Sequence, residues 1–328
     1  MEEGLRILPQ ILISGLVIGF LYAVVALGYT MVYGVLEFIN FAHSEIFMFG
    51  AFIGFEVLMF LQKTSLLTTL PMVISLILTM LAAMIFSGAL GWTVERLAYR
   101  PLRGAPRLVP LISAIGVSFF LQDAARIIWE ALRGNWQLAV PPLYTGVLTM
   151  GPWQVAGAPL QLQVPYGAIV IMVSGLIMMF SLIWFVNKTK VGKAMRAVAQ
   201  DRSTAALMGV NVDRIISTTF VIGGALGGAA GSLFAIRYTS ITPYIGFILG
   251  VKAFTAAVFG GIGNLAGAVI GGLLLGIFEA LGTAYLGPLT HGALKGPEYK
   301  DIFAFLILIL VLVFKPAGLL GRTVGEKV

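Results

Sequence analysis

Asn40, His43 and Glu45 stand within six residues of one another in Ile39-Asn40-Phe41-Ala42-His43-Ser44-Glu45, with long apolar runs on both sides. An amide, an imidazole and a carboxyl group this close have two uses. Asn40 can cap a helix N-terminus, with Glu45 in the first turns at the positive end of the helix dipole. Alternatively, the three line a polar path or gate, because ionisable groups in apolar spans face a bundle interior. The residues leave both readings open. Asn264, in Gly260-Gly261-Ile262-Gly263-Asn264-Leu265-Ala266, is a second polar residue in similar company, able to cap the helix that follows it or to line the same path.

Other chemistry lacks its residues. There is no cysteine, and His43 and His291 are the two histidines. Disulfides, thiolate metal sites and thiol catalysis are excluded, and no paired-histidine spacing or G-x-S-x-G occurs. No G-x-x-x-x-G-K-[ST] phosphate loop is present, so the chain does not hydrolyse ATP through one. Residues 261–266 match G-x-G-x-x-A by spacing, with Glu279 further on, but their apolar flanks are not those of a soluble βαβ unit. The expectation is a protein with no catalytic residues, no metal and no cofactor of its own.

The elements that must position these residues are membrane helices. Of 328 residues, 59% are hydrophobic and 11% charged, against roughly 25% charged in a soluble domain. The fold class is therefore an all-α, polytopic membrane helical bundle in a single domain spanning 1–328. Apolar runs at roughly 11–33, 38–60, 71–94, 108–130, 166–186, 215–237, 245–262, 265–286 and 301–315 predict about 8–10 spans. The first reads as a spanning helix and not as a cleavable signal peptide, since it is too long for one. Some spans are interrupted. Residues 30–54 and 255–277 each run apolar span, glycine, Asn, new apolar span, and such matched breaks point to a transport path. Gly223, Gly227 and Gly231, like Gly224 with Gly228, Gly272 with Gly276 and Gly15 with Gly19, recur at intervals of four, which lets helix backbones approach closely in lipid.

Orientation follows from lysine and arginine in short loops. Arg96, Arg100, Arg103 and Arg107 form one cluster; Lys188, Lys190, Lys193, Arg196, Arg202 and Arg214 form a second; Lys315, Arg322 and Lys327 mark the tail. These segments are placed inside, and the net charge of +7 fits a basic cytoplasmic face better than nucleic-acid binding. Residues 133–165, with Trp136, Pro141 and Tyr144, read as an exterior loop or hairpin. Glu95 with Arg96 reads as an interfacial charge pair. Within the cytoplasmic loop 187–214, Asp201 or Ser203 can cap a short helix through Ala205, Ala206, Leu207 and Met208 that Gly209 stops. Its small and apolar face would be buried in a groove on a partner; otherwise it lies on the membrane surface.

Four segments carry a resemblance: Leu27-Gly28-Tyr29-Thr30-Met31-Val32-Tyr33-Gly34; Ile39 to Glu45; Gly192-Lys193-Ala194-Met195-Arg196-Ala197-Val198-Ala199-Gln200-Asp201 with Ala205, Ala206 and Gly209; and Ala257-Val258-Phe259-Gly260-Gly261-Ile262-Gly263-Asn264. Together they resemble the LivH-like permease subunits of ATP-driven importers for branched-chain amino acids. That family commonly has His-Gly-Glu where this chain has His43-Ser44-Glu45. The resemblance covers roughly residues 11–315 and leaves 133–165 less accounted for. It implies a multi-pass protein of the bacterial inner membrane that is not an enzyme. It implies a second permease subunit (LivM-like, or a second copy), two cytoplasmic ATPase subunits that use ATP, and a periplasmic substrate-binding protein. The Ser203–Gly209 segment would be the coupling helix seated on an ATPase. Two other cargoes or modes fit the motifs: urea or short-chain amides on the same architecture, and a stand-alone ion-coupled amino acid carrier.

Overall fold

A computed structural model describes residues 2–106, 108–141, 143–155, 158–292 and 295–321; Arg107, Arg322 and Lys327 lie outside the described residues. The helices in chain order are α1 (Glu2–Leu36), α2 (Ala42–Lys63), α3 (Leu66–Thr69), α4 (Met72–Val94), α5 (Leu108–Arg133) and α6 (Tyr166–Lys188). They continue as α7 (Lys190–Gln200), α8 (Arg202–Leu207), α9 (Val212–Tyr238), α10 (Ile245–Gly260), α11 (Leu265–Leu289) and α12 (Gly296–Phe314). Seven of them, α1, α2, α4, α5, α6, α9 and α11, are long and apolar enough to cross a membrane. α10 has 16 residues and α12 has 19. Each predicted apolar run therefore corresponds to a helix.

α1, α2 and α9 form the buried centre, and α4, α5 and α6 cover it with outward apolar faces. Ile85, Phe120 and Phe180 are exposed there, as lipid-facing side chains should be. Glycine spacing sets the close contacts. On α9, Gly224 and Gly228 meet α4: a Cβ on Gly228 would lie 2.4 Å from the Ala83 carbonyl oxygen. Gly231 faces α2, where a Cβ would stand 2.1 Å from the Phe47 carbonyl oxygen. Gly276 and Gly19 do the same between α11 and α1, at 2.4 Å.

α2 starts part-way along its neighbours. His43 packs against Gly223 and Gly227, well inside α9, and Glu45 meets Ser118, well inside α5. α10 also starts at this height, because Gly246 lies against Glu45 and Gly250 against Ser44. α9 runs on from Gly227 to Tyr238, a rise of about 16 Å at 1.5 Å per residue. Thr239–Tyr244 must therefore run back down the bundle, and six extended residues reach about 20 Å. The sequence had given no sign of this re-entry. Within it, β4 (Ser240–Ile241) pairs antiparallel with β1 (Leu138–Ala139). Val140 N donates to the Thr239 carbonyl at 2.8 Å. The 133–165 segment also forms a hairpin of β2 (Val147–Val155) and β3 (Ala158–Pro165), so short strands supplement the helical fold.

The two breaks foreseen in the sequence, between α1 and α2 and between α10 and α11, lie at one end of the bundle. So do α7, α8 and the basic residues Arg100 and Arg103, which pair with Asp213 at the start of α9. Glu95 does not pair with Arg96. It pairs with Arg103 and accepts from Ser217 Oγ at 2.6 Å, because a π-helical turn at Glu95–Tyr99 aims it into the bundle. Arg96 instead lies over the Trp92 ring at 5.4 Å.

Gly276→Val places branched carbons against α1 backbone and is expected to lower stability by about 3 kcal/mol. Gly116→Ala, where nothing lies within 4 Å of an added Cβ, is expected to be neutral or stabilising by up to ~1 kcal/mol. Thermal unfolding of the purified proteins in detergent measures both.

Candidate functional site

Among the described residues, the corner where α1 turns into α2 holds most of the buried polar side-chain atoms without a hydrogen bond. Glu45 is fully buried; its Oε1 accepts from Ser118 Oγ at 3.0 Å, and its Oε2 makes no hydrogen bond. His43 is buried in a slot that Gly28 keeps open, since a Cβ there would fall 2.1 Å from Nε2. Its ring meets Tyr29 edge-on at 4.9 Å, and its Nε2 makes no hydrogen bond. Tyr29 Oη, set beside Ser44, and Thr30 Oγ1 are likewise buried without hydrogen bonds. A buried polar group left unpaired costs about 1–3 kcal/mol, so several on one corner call for an explanation.

Asn40 does not cap α2. The N-cap position is Phe41, with helical backbone angles and no side-chain cap. The Asn40 side chain turns away because Tyr99 Oη donates to its Oδ1 at 2.6 Å. Asn264 does cap: its Oδ1 accepts from Gly267 N at 3.1 Å, and its Nδ2 donates to the Leu320 carbonyl at 2.9 Å. Structure thus separates the four residues. Asn40, His43 and Glu45 belong to the α1–α2 corner. Asn264 lies nearer the basic end, on the wall of a cavity of about 820 Å³ that Gly34, Val35, Asn187, Arg196 and Gln200 also line. A second void, of about 10 Å³, lies between Tyr29, Ile39, Phe254 and Ala257, and shares Thr30 and Ile262 with the first. The two voids lead from the basic end to Tyr29. The upper one has room for about one water, so the route narrows there.

The basic loop folds as α7 and α8. α7 buries Gly192, Met195 and Val198, and Thr189 caps it. Asp201 caps α8, accepting from the backbone N–H groups of Ser203 and Thr204. Hydrogen bonds from the Ser203 and Thr204 hydroxyls, and then from the backbone, hold its carboxyl well below the usual range. Ala205 is buried against the protein, whereas Ser203, Ala206, Leu207, Met208 and Gly209 face out, Leu207 and Met208 at 87% and 80% exposure. Gly209 has φ +82°, a left-handed turn that ends the helix as its residue type predicted. Arg202 leaves the loop to donate to the Val35 carbonyl from Nε at 3.1 Å and Nη2 at 2.7 Å.

Sequence reasoning missed a charge cluster inside the bundle. Lys252 Nζ lies 3.0 Å from Glu279 Oε1 and 2.7 Å from Asp301 Oδ1. Lys300 Nζ is 3.2 Å from Glu279, and Tyr22 Oη donates to Glu279 Oε2 at 2.6 Å. The signal was available: Lys252 and Glu279 are lone charges in consecutive apolar helices, and each needs a partner there. Among the described residues no group of three or more His, Cys, Asp or Glu side chains is placed to hold a metal ion.

Helices that begin at mid-height, beside voids entered from one end, are what a solute pathway requires, and the fold is that of a membrane permease. The chain belongs to the family described as the permease component of the branched-chain amino acid transport system, which matches residues 11–312. It is 43% identical over 319 residues to the high-affinity branched-chain amino acid transport system permease protein BraD of Pseudomonas aeruginosa, covering 97% of each chain. It is 42% identical over 327 residues to the corresponding LivH of Escherichia coli, covering 100% of this chain and 99% of that one. A probable LivH of Methanocaldococcus jannaschii is 26% identical over 314 residues, 95% of this chain and 92% of that one. No solved structure matches.

Lys252→Met leaves Glu279 and Asp301 short of a buried cation and is expected to cost about 3 kcal/mol, part of which Lys252→Met with Glu279→Leu recovers. Thermal unfolding of the single and double variants checks this; equal stability of wild type and Lys252→Met would contradict it.

Proposed function

We propose that this chain is the membrane permease subunit of an ATP-driven, binding-protein-dependent importer of branched-chain amino acids in the bacterial inner membrane. The end that carries α7, α8 and the arginine pairs is the cytoplasmic end, by its lysine and arginine content. Nine crossings then put the N-terminus and the β2–β3 hairpin outside. Two cytoplasmic ATPase subunits bind and hydrolyse ATP, and a second permease subunit, a LivM-like chain or a second copy, completes the pathway. A periplasmic binding protein delivers the amino acid.

The observation that carries this reading is α8. A helix of six residues, capped by Asp201 and stopped by Gly209, holds Leu207 and Met208 out in solvent. Such a projection has no reason to form by itself, and a groove on an ATPase subunit would bury it. Its motion has a direct route inward. Arg202, the first residue of α8, grips the Val35 carbonyl one residue before α1 ends, next to the break that leads to Asn40, His43 and Glu45. Asn264 takes the matching position at the α10–α11 break, and these residues are the candidate pathway.

Ala206→Glu and Gly209→Asp are expected to cut uptake of labelled leucine at least about tenfold, equivalent to about 1.4 kcal/mol of lost docking energy, with normal amounts of protein in the membrane. Arg202→Ala is expected to retain ATPase binding while lowering the leucine moved per ATP hydrolysed. Wild-type uptake by Ala206→Glu, or unchanged coupling in Arg202→Ala, would contradict the assignment.

A further inference from the structure

We infer that Glu45 is the residue that receives the ammonium group of the transported amino acid. The inference rests on the function proposed above and adds to it the atom that recognises a zwitterion.

Glu45 is 0% exposed, and no ion pair to it exists among the described residues. The nearest buried lysine, Lys252, is committed to Glu279 and Asp301. A carboxyl group at mid-height in an apolar bundle, with one oxygen buried and unpaired, is costly to keep unless a cation visits it. The bundle spends close packing to keep that oxygen clear of side chains. A Cβ on Gly246 would lie 2.4 Å from Oε2, and one on Gly250 would lie 2.2 Å from the Ser44 Cβ. Ser118 occupies the other oxygen and fixes the carboxyl plane.

The surroundings suit the rest of a hydrophobic amino acid. Tyr29 Oη is buried, unpaired and on the same corner, so a hydroxyl can serve a carboxylate. The void beside Tyr29 is walled by Ile39, Phe254 and Ala257, which suit an aliphatic side chain. Because that void is only about 10 Å³, the site is closed here, and separation of α10 from α2 at Gly246 and Gly250 would enlarge it. Thr30 and Ile262 join it to the large cytoplasmic cavity. That route ends at Tyr29, whose hydroxyl lies against Gly250 together with Ser44, the neighbour of Glu45 in the chain.

The test uses the purified complex of this chain with its partner subunits, without the binding protein. Labelled leucine is bound by equilibrium dialysis and competed with isoamylamine, which keeps the ammonium, and with 4-methylpentanoate, which keeps the carboxylate. Wild type is expected to bind leucine, with isoamylamine competing at least tenfold better than 4-methylpentanoate. Glu45→Gln is expected to lose at least tenfold in leucine affinity and that preference with it, and Glu45→Asp to regain part of both. Equal competition by the two analogues, unchanged affinity in Glu45→Gln, or no leucine binding by wild type overturns the proposal. If Glu45→Gln does not assemble, the wild-type competition decides alone. Leucine uptake by cells carrying the wild-type chain is scored separately. Its absence removes the importer reading, whereas uptake alongside a failed competition removes only the role of Glu45.

Discussion

In hydrocarbon, every backbone N–H and C=O must find its partner within the protein. This fold interrupts α1–α2 and α10–α11 towards its basic end and turns the chain back into the bundle after α9, and must therefore supply those partners from elsewhere. Near the end of α1 the Val35 carbonyl is gripped by Arg202, 167 residues away in sequence. The last carbonyls of α10 are met by the N–H groups of Leu319 at 2.8 Å and Leu320 at 2.9 Å, from beyond α12. The re-entrant strand after α9 is paired by β1 and Val140. Each break is thus closed by a segment that lies at an end of the bundle, where partners can move it. The same bonds that make the interruptions tolerable also connect them to the surface.

That arrangement explains how a chain with few charges can be worked from outside. α8 and α1 are joined by one guanidinium, and α10 and α11 are fastened to α12 by the Lys252 cluster. Between these fastenings lie interfaces made of glycine and alanine, where backbones touch without side-chain knobs to hold them. Smooth contacts bounded by polar fastenings favour sliding of whole helices over deformation. The low charge of the route fits a cargo that is itself neutral overall.

Much of this was legible in the residues. The nine apolar runs follow from the length needed to span lipid, and the glycine intervals named the faces that would meet. Asp201 as a cap, Gly209 as a stop and Asn264 as a cap are local chemistry, so adjacent residues were enough. What escaped depends on distant partners. Asn40 looks like a cap until Tyr99, 59 residues on, takes its side chain. Glu95 looks like a partner for Arg96 until the π-helical turn sends it to Arg103 and Ser217. The re-entry at Thr239–Tyr244 is invisible because a short polar stretch with Pro243 reads the same on the surface as inside the bundle. Height in the membrane is set by packing against neighbours, and a linear pattern does not carry it.

The central claim is that α8 faces the cytosol and is covered there by the ATPase subunits. Since the chain has no cysteine, a single Leu207→Cys gives a clean reporter. A membrane-impermeant maleimide is expected to label it in inside-out vesicles and not in right-side-out ones, and bound ATPase subunits are expected to protect it. Labelling from the exterior, or labelling that is indifferent to the ATPase subunits, would contradict the account.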